Sequence, residues 1–231
     1  PNTLPKFALQ SAITYLRNKS SLYIPYPFFN TVGHVESGLV TLNKYSVNSA
    51  TRVAVPSSIS WPKRAVMYKN CAIEERVKIE DSDKELIVYN LHLDAYGSGD
   101  KKTEQLDVLM EQMKAEYEKG NYVICGGDFN HDLKNKEFDP ENEYSWAYPF
   151  PREMLPENFS LCIDAFSDEE KAAMPDSARN ADMEYVEGVT FTVTLDGYIV
   201  SDNVEVTEYA NLYTGYLYAD HDPVWMRFKL K

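Results

Sequence analysis

Residues 103–119 place Leu106, Leu109, Met110, Met113 and Tyr117 on one helical stripe, Gly120 supplies a stop, and Tyr122-Val123-Ile124-Cys125 follows at once as a buried strand. An amphipathic helix that runs straight into a strand without a polar face needs a sheet to pack against. Upstream, residues 75–79 and 85–93 are β-patterned runs separated by Asp81-Ser82-Asp83-Lys84, whose small polar side chains suit a hairpin turn. The local grammar is therefore strand, helix, strand.

The rest of the chain mixes the two kinds of element. Residues 6–16 have an untidy helical pattern, and residues 37–42 form a short β-prone run. Residues 135–180 are rich in proline, acidic and aromatic side chains with little periodicity, which predicts long loops with short helical turns. β pattern returns at residues 189–193, 195–200 and 224–230. With 231 residues, 44% hydrophobic, and no repeat or linker, a single α+β domain over residues 1–231 is the expectation.

Charge narrows the partners. Lys plus Arg number 23 against 36 Asp plus Glu, a net −13 that repels long polyanions and suits divalent cations. No Lys/Arg cluster interleaved with aromatics marks a nucleic-acid footprint. Cys71, Cys125 and Cys162 lie in apolar stretches without zinc or disulfide spacing and read as buried thiols. No run is long or apolar enough to span a bilayer.

Four short stretches could carry chemistry. Gly126-Gly127-Asp128-Phe129-Asn130 ends a strand with a tight turn that sets a carboxylate beside an amide, although a bare Gly-Asp pair is most often a solvated turn. Asp128, Asn130 and Asp132 match the opening spacing of an EF-hand, but Leu133 stands where its glycine belongs and Asp139 where its glutamate belongs. Asp220-His221-Asp222-Pro223 precedes the last strand, where a structural turn is as good a reading. Asp196, at the start of an apolar run, needs a partner if buried, and a histidine is the natural one. His92 shares a strand face with Asn90; a lone histidine there is more often a satisfied core residue than a catalyst.

In this order, Asn90-Leu91-His92-Leu93, Gly127-Asp128-Phe129-Asn130, Leu195-Asp196-Gly197-Tyr198-Ile199 and Asp220-His221-Asp222-Pro223 resemble the motifs of the endonuclease/exonuclease/phosphatase superfamily, typified by deoxyribonuclease I. The resemblance runs from about residue 23 to the C-terminus. It implies a four-layer α/β/β/α sandwich and a metal-dependent phosphoester hydrolase with the site at one end of the sheets. It further implies that His221 is the active-site histidine held by Asp196, and that Asp128 orients or deprotonates the attacking water. Asn130 and His92 would hydrogen-bond phosphate oxygens, and Asp220, with Asp128 and Asn130, would face Mg²⁺ or Mn²⁺.

Two family features have no evident counterpart: an asparagine on the first strand, and a metal-binding glutamate ahead of Gly38-Leu39-Val40-Thr41-Leu42. Glu36 is the nearest upstream carboxylate and matches no family ligand. Because the chain starts at Pro1, the expectation is a domain without its N-terminal strands, with open sheet edges and an incomplete metal site. A non-catalytic module that binds a phosphate ligand or a protein, and a calcium-binding surface protein, are the competing readings. The acidic balance favours a small or lipid-borne phosphoester over duplex DNA.

Overall fold

The computed structural model describes residues 20–26, 37–56, 70–95, 99–135 and 147–231, and the chain divides into two compact units, Pro1–Val123 and Ile124–Lys231. The helix expected at residues 6–16 lies outside the described residues, as do Glu36 and Asp139.

In the first unit, β1 (Ser20–Tyr26) pairs antiparallel with β2 (Ser37–Asn43), which contains the strand expected at residues 37–42. β3 (Val47–Ala54) pairs with β4 (Cys71–Lys78), and β4 with β5 (Glu85–His92), all antiparallel. Nothing in the sequence of β3 announces a strand. Val53 is its one buried side chain, so the ladder to β4 rather than an apolar face makes it extended.

The β4–β5 turn forms where the small polar residues predicted it. Asp81 takes a left-handed φ of 58°, and Ser82 Oγ accepts the Lys84 N–H at 3.0 Å. Along β5, Ile87, Tyr89 and Leu91 are buried while the Asn90 face is only partly covered. The Asn90 amide donates to Val40 O at 2.9 Å and to Thr41 Oγ1 at 3.0 Å, and His92 is exposed. Neither polar side chain on this face is fully buried.

α1 (Gly99–Glu118) begins four residues ahead of the expected helix at 103–119 and buries Leu106, Leu109, Met110 and Met113. Each such side chain contributes roughly 1.5–3 kcal/mol. Glu116, also buried on α1, accepts from Arg76, Lys119 and Asn121, which anchors the helix end to β4.

The division between the units falls inside β6 (Tyr122–Asp128). In the second unit come β7 (Phe159–Leu161), the six-residue α2 (Asp168–Ala173), β8 (Ala178–Arg179), β9 (Thr192–Val193), β10 (Asp196–Ser201), β11 (Val204–Asn211) and β12 (Val224–Leu230). β10 lies between β6 and β7, antiparallel to both, and β11 pairs with β12 around a bulge at Val206/Glu208. Within residues 147–180 the loop-rich reading fits the short turns and α2, whose Ser167 and Glu170 form a capping box, while residues 136–146 lie outside the described residues.

The strand expected at residues 189–193 shrinks to Thr192–Val193. Gly188 takes a φ of +75°, and the amides of Val189 and Thr190 fold back on Val186 O at 3.0 and 2.9 Å, so Val189 sits in a turn. Among the described residues there are twelve strands and two α-helices. Among the described residues, the four-layer sandwich that the motif resemblance implied would have only α1 and α2 for its helices. The three cysteines are buried thiols, as their apolar surroundings in the sequence predicted.

Candidate active site

One glycine and a ladder register bring the second unit's carboxylates together. At Gly126 a Cβ would fall 2.5 Å from the Tyr198 ring, so only glycine lets β10 carry a tyrosine there. Two residues on, Asp128 stands opposite Asp196 in the β6–β10 ladder. Directly opposed residues project to the same face, which puts both carboxylates on one side of the sheet.

The loop after β6 is fixed to the core. Phe129 N–H donates to Leu195 O at 3.0 Å, its ring meets Phe150 edge-on, and His131 Nδ1 lies 2.7 Å from Phe129 O. His131 is buried and acts as a packing residue. Asn130 adopts φ 50°, from which its N–H reaches Asp128 Oδ1 at 2.8 Å and its Nδ2 reaches Oδ2 at 3.2 Å. This Asx turn holds the Asp128 carboxylate with two donors of one neighbour.

His221 completes the group. Its Nδ1 lies 2.7 Å from Asp196 Oδ2, and its Nε2 lies 4.0 Å from Asp128 Oδ2. Burial pulls the imidazole down, but the hydrogen bond and charge of Asp196, with the charges of Asp128 and Asp220, outweigh it and push the pKa up to about 9. At neutral pH the ring is therefore a cation that donates from Nδ1 to Asp196 and presents Nε2–H to its surroundings. A cleft of about 290 Å³ opens beside it, lined by Gly127, Tyr198, His221, Pro223 and Val224 among others.

Asp222 and Asp220, which flank the histidine, do different things. Asp222 is buried and accepts from the N–H and hydroxyl of Thr214, so it fixes the preceding loop. Asp220 is exposed, and its backbone carbonyl accepts Arg179 N–H at 2.9 Å.

Ser177 is the residue that sequence reasoning missed. Fully buried, its Oγ donates to Asp196 Oδ2 at 2.8 Å and accepts the N–H groups of Leu195 and Asp196, each at 3.0 Å. Its carbonyl accepts Asp222 N–H at 2.7 Å, and its neighbour Ala178 bridges to His221. One serine thereby clamps both the Asp196 and His221 segments, yet nothing in Pro175-Asp176-Ser177-Ala178 distinguishes it from a loop serine.

Of the residues singled out in the sequence, Asp128, Asn130, Asp196 and His221 converge, with Asp220 beside the histidine. His92 lies in the first unit, exposed at the end of β5, where its carbonyl accepts Asn70 Nδ2 at 3.0 Å. Among the described residues no group of three or more His, Cys, Asp or Glu is arranged to hold a metal ion. Asp128 and Asp220 are hard oxygen donors, but Asp128 already accepts from Asn130 with both oxygens. The described residues do not by themselves make an Mg²⁺ or Mn²⁺ centre.

Solved structures share this fold across nearly the whole chain. An endonuclease/exonuclease/phosphatase from Beutenbergia cavernae superposes with a TM-score of 0.70 at 14% identity, over 96% of this chain and 56% of that one. The human Nocturnin catalytic domain with bound sulfate matches at 0.64 and 15% identity, over 96% and 76%. A mannosyl-6-phosphatase from Bacteroides thetaiotaomicron matches at 0.58 and 17% identity, over 92% and 78%. No protein-family profile matches the chain, and no curated protein sequence matches it. The chain has the fold of the endonuclease/exonuclease/phosphatase superfamily.

Proposed function

We propose that this chain is a phosphoester hydrolase whose second unit carries the reacting groups. The observation that supports this reading best is a histidine held by Asp196 at 2.7 Å with a second carboxylate, Asp128, 4.0 Å from its free nitrogen, beside a cleft. His221 hydrogen-bonds a phosphate oxygen through Nε2–H and offsets the charge that builds there. Asp128, fixed by Asn130, accepts a proton from water as the water oxygen bonds phosphorus and the ester P–O bond breaks. The leaving oxygen takes up a proton from His221 or from solvent. The superposed proteins, a phosphatase among them, agree with this class of reaction.

The substrate is a small or lipid-borne phosphoester, because a chain of net charge −13 repels long nucleic acid. Mg²⁺ or Mn²⁺ is the ion that the motif resemblance implies, and the assay is run with and without each. Release of p-nitrophenol from bis(p-nitrophenyl) phosphate should fall about 10²- to 10⁴-fold in Asp128→Ala and His221→Ala. A wild-type rate no higher than that of Asp128→Ala, with either ion, sinks the proposal.

The lack of a three-residue metal cluster among the described residues favours one alternative, a module that binds a phosphate ligand without turning it over. Its signature would be calorimetric phosphate binding that His221→Ala abolishes, in a protein with no hydrolysis.

A further inference from the structure

Seven of the ten exposed large apolar side chains among the described residues lie on two short segments, one of which leads into His221. Met183, Val186 and Val189 come from one segment. Leu212, Tyr213, Leu217 and Tyr218 come from the loop that leads into Asp220-His221, and Leu217 and Tyr218 are 72% and 86% exposed. Scattered exposed apolar residues need no explanation, but a group gathered on two linked segments does.

The two segments form one surface. The Tyr185 and Tyr213 hydroxyls meet at 3.2 Å, and the Tyr185 and Tyr216 rings pack edge-on with centroids 4.8 Å apart. The surface is also tied to the site. Asp222 holds Thr214, Tyr216 OH donates to Asp176 O at 2.9 Å, and Arg179 holds the Met183 carbonyl at 2.8 Å. These side chains are thus presented by fixed backbone.

Charge selects the occupant. Residues 182–190 and 212–220 contain Asp182, Glu184, Glu187 and Asp220 and no Lys or Arg, so four carboxylates face the one guanidinium, Arg179, that reaches the Met183 carbonyl. Such a rim repels anionic lipid and nucleic acid. It complements a surface that is apolar beneath and positive outermost, which describes the choline groups of a zwitterionic phospholipid. Tyrosine faces attract quaternary ammonium, and tyrosine prefers the membrane–water boundary.

We propose that the Met183–Val189 and Leu212–Tyr218 segments dock this protein on a choline-bearing, zwitterionic phospholipid surface. Docking goes beyond the hydrolase reading and does not need turnover. Its bearing on substrate, a lipid phosphoester presented to His221, rests on that reading.

Cosedimentation of the full chain with phosphatidylcholine vesicles tests it. Binding is expected, weaker when phosphatidylserine is included, and weakened about tenfold or more by Leu217→Asp with Tyr218→Asp, because binding scales with the apolar area inserted. Val189→Asp, on the other segment, should weaken it independently. No sedimentation, equal sedimentation of the variants, or preference for phosphatidylserine overturns the proposal. Self-association lost in the same variants without vesicle binding also overturns it, since the surface would then be a protein interface. Asp128→Ala should bind vesicles as the wild type does; in the wild type, binding without turnover sinks only the hydrolase reading, and turnover without binding sinks only the docking.

Discussion

Asp176 and Asp196 belong to neighbouring networks joined through Ser177, and one network is closed while the other is open. Asp176 pairs with Lys134 at 3.0 Å and accepts the hydroxyls of Thr192 and Thr194 at 2.6 and 3.0 Å. The two charged side chains are only 5% and 9% exposed. Asp196 accepts from Ser177 and His221, but its cationic partner is 33% exposed, borders the cleft and has Asp128 at 4.0 Å. A buried ion pair surrounded by neutral donors has nowhere to send a proton. A cation shared between carboxylates at the edge of a cleft does, so the same chemical groups are closed off in one place and, on the proposed function, reactive in the other.

The comparison can be tested first where the effect should be largest. Asp196→Asn should cut hydrolysis by up to about 10⁴-fold, because the imidazole loses the charge that holds it protonated and oriented. In the metal-free protein an NMR titration should place the His221 pKa near 9 in wild type and clearly lower in the variant. The sign for stability follows. A folded-state pKa raised from 6.5 to about 9 gives stability that is fully present below pH 6.5 and is lost as pH rises through about 9. Asp196→Asn should flatten that slope, and an unchanged slope would mean that Asp196 does not set the charge of His221.

Asp176→Ala should act on stability instead. It leaves the Lys134 ammonium buried without its carboxylate, at a cost of roughly 3–5 kcal/mol. Urea unfolding measures the loss. A large fall in the rate of the folded variant with little change in stability would erase the distinction between the two aspartates.

Ser177→Ala lies between the networks and should have the smallest effect. One hydrogen bond to Asp196 disappears and two backbone N–H groups lose their acceptor, worth about 1–3 kcal/mol in urea unfolding. The rate should fall about tenfold, because a 1.4 kcal/mol misplacement is tenfold. A rate equal to wild type would show that the Asp196 carboxylate is positioned without the serine.

Elements with strong local patterning were legible in the sequence. The stripe from Leu106 to Met113, the stop at Gly120 and the apolar strand before Gly126-Gly127-Asp128 each follow from local periodicity. β3 was illegible because its side chains are mostly exposed, and β7 because three residues carry no period. Residues 189–193 misled because β-branched and aromatic composition cannot reveal that Gly188 turns the backbone first.

The sequence by itself determined which groups the site can draw on: the carboxylates of Asp128, Asp196 and Asp220, the imidazole of His221, and the Asx turn by which Asn130 grips Asp128. Only the tertiary structure decided that Asp128 faces Asp196, since that depends on the register of β10 against β6. It alone also recruited Ser177 from a loop 19 residues before Asp196. Hydrogen bonds between neighbours follow from backbone geometry that a short sequence encodes, whereas contacts across long separations exist only after the core has fixed which strands lie side by side.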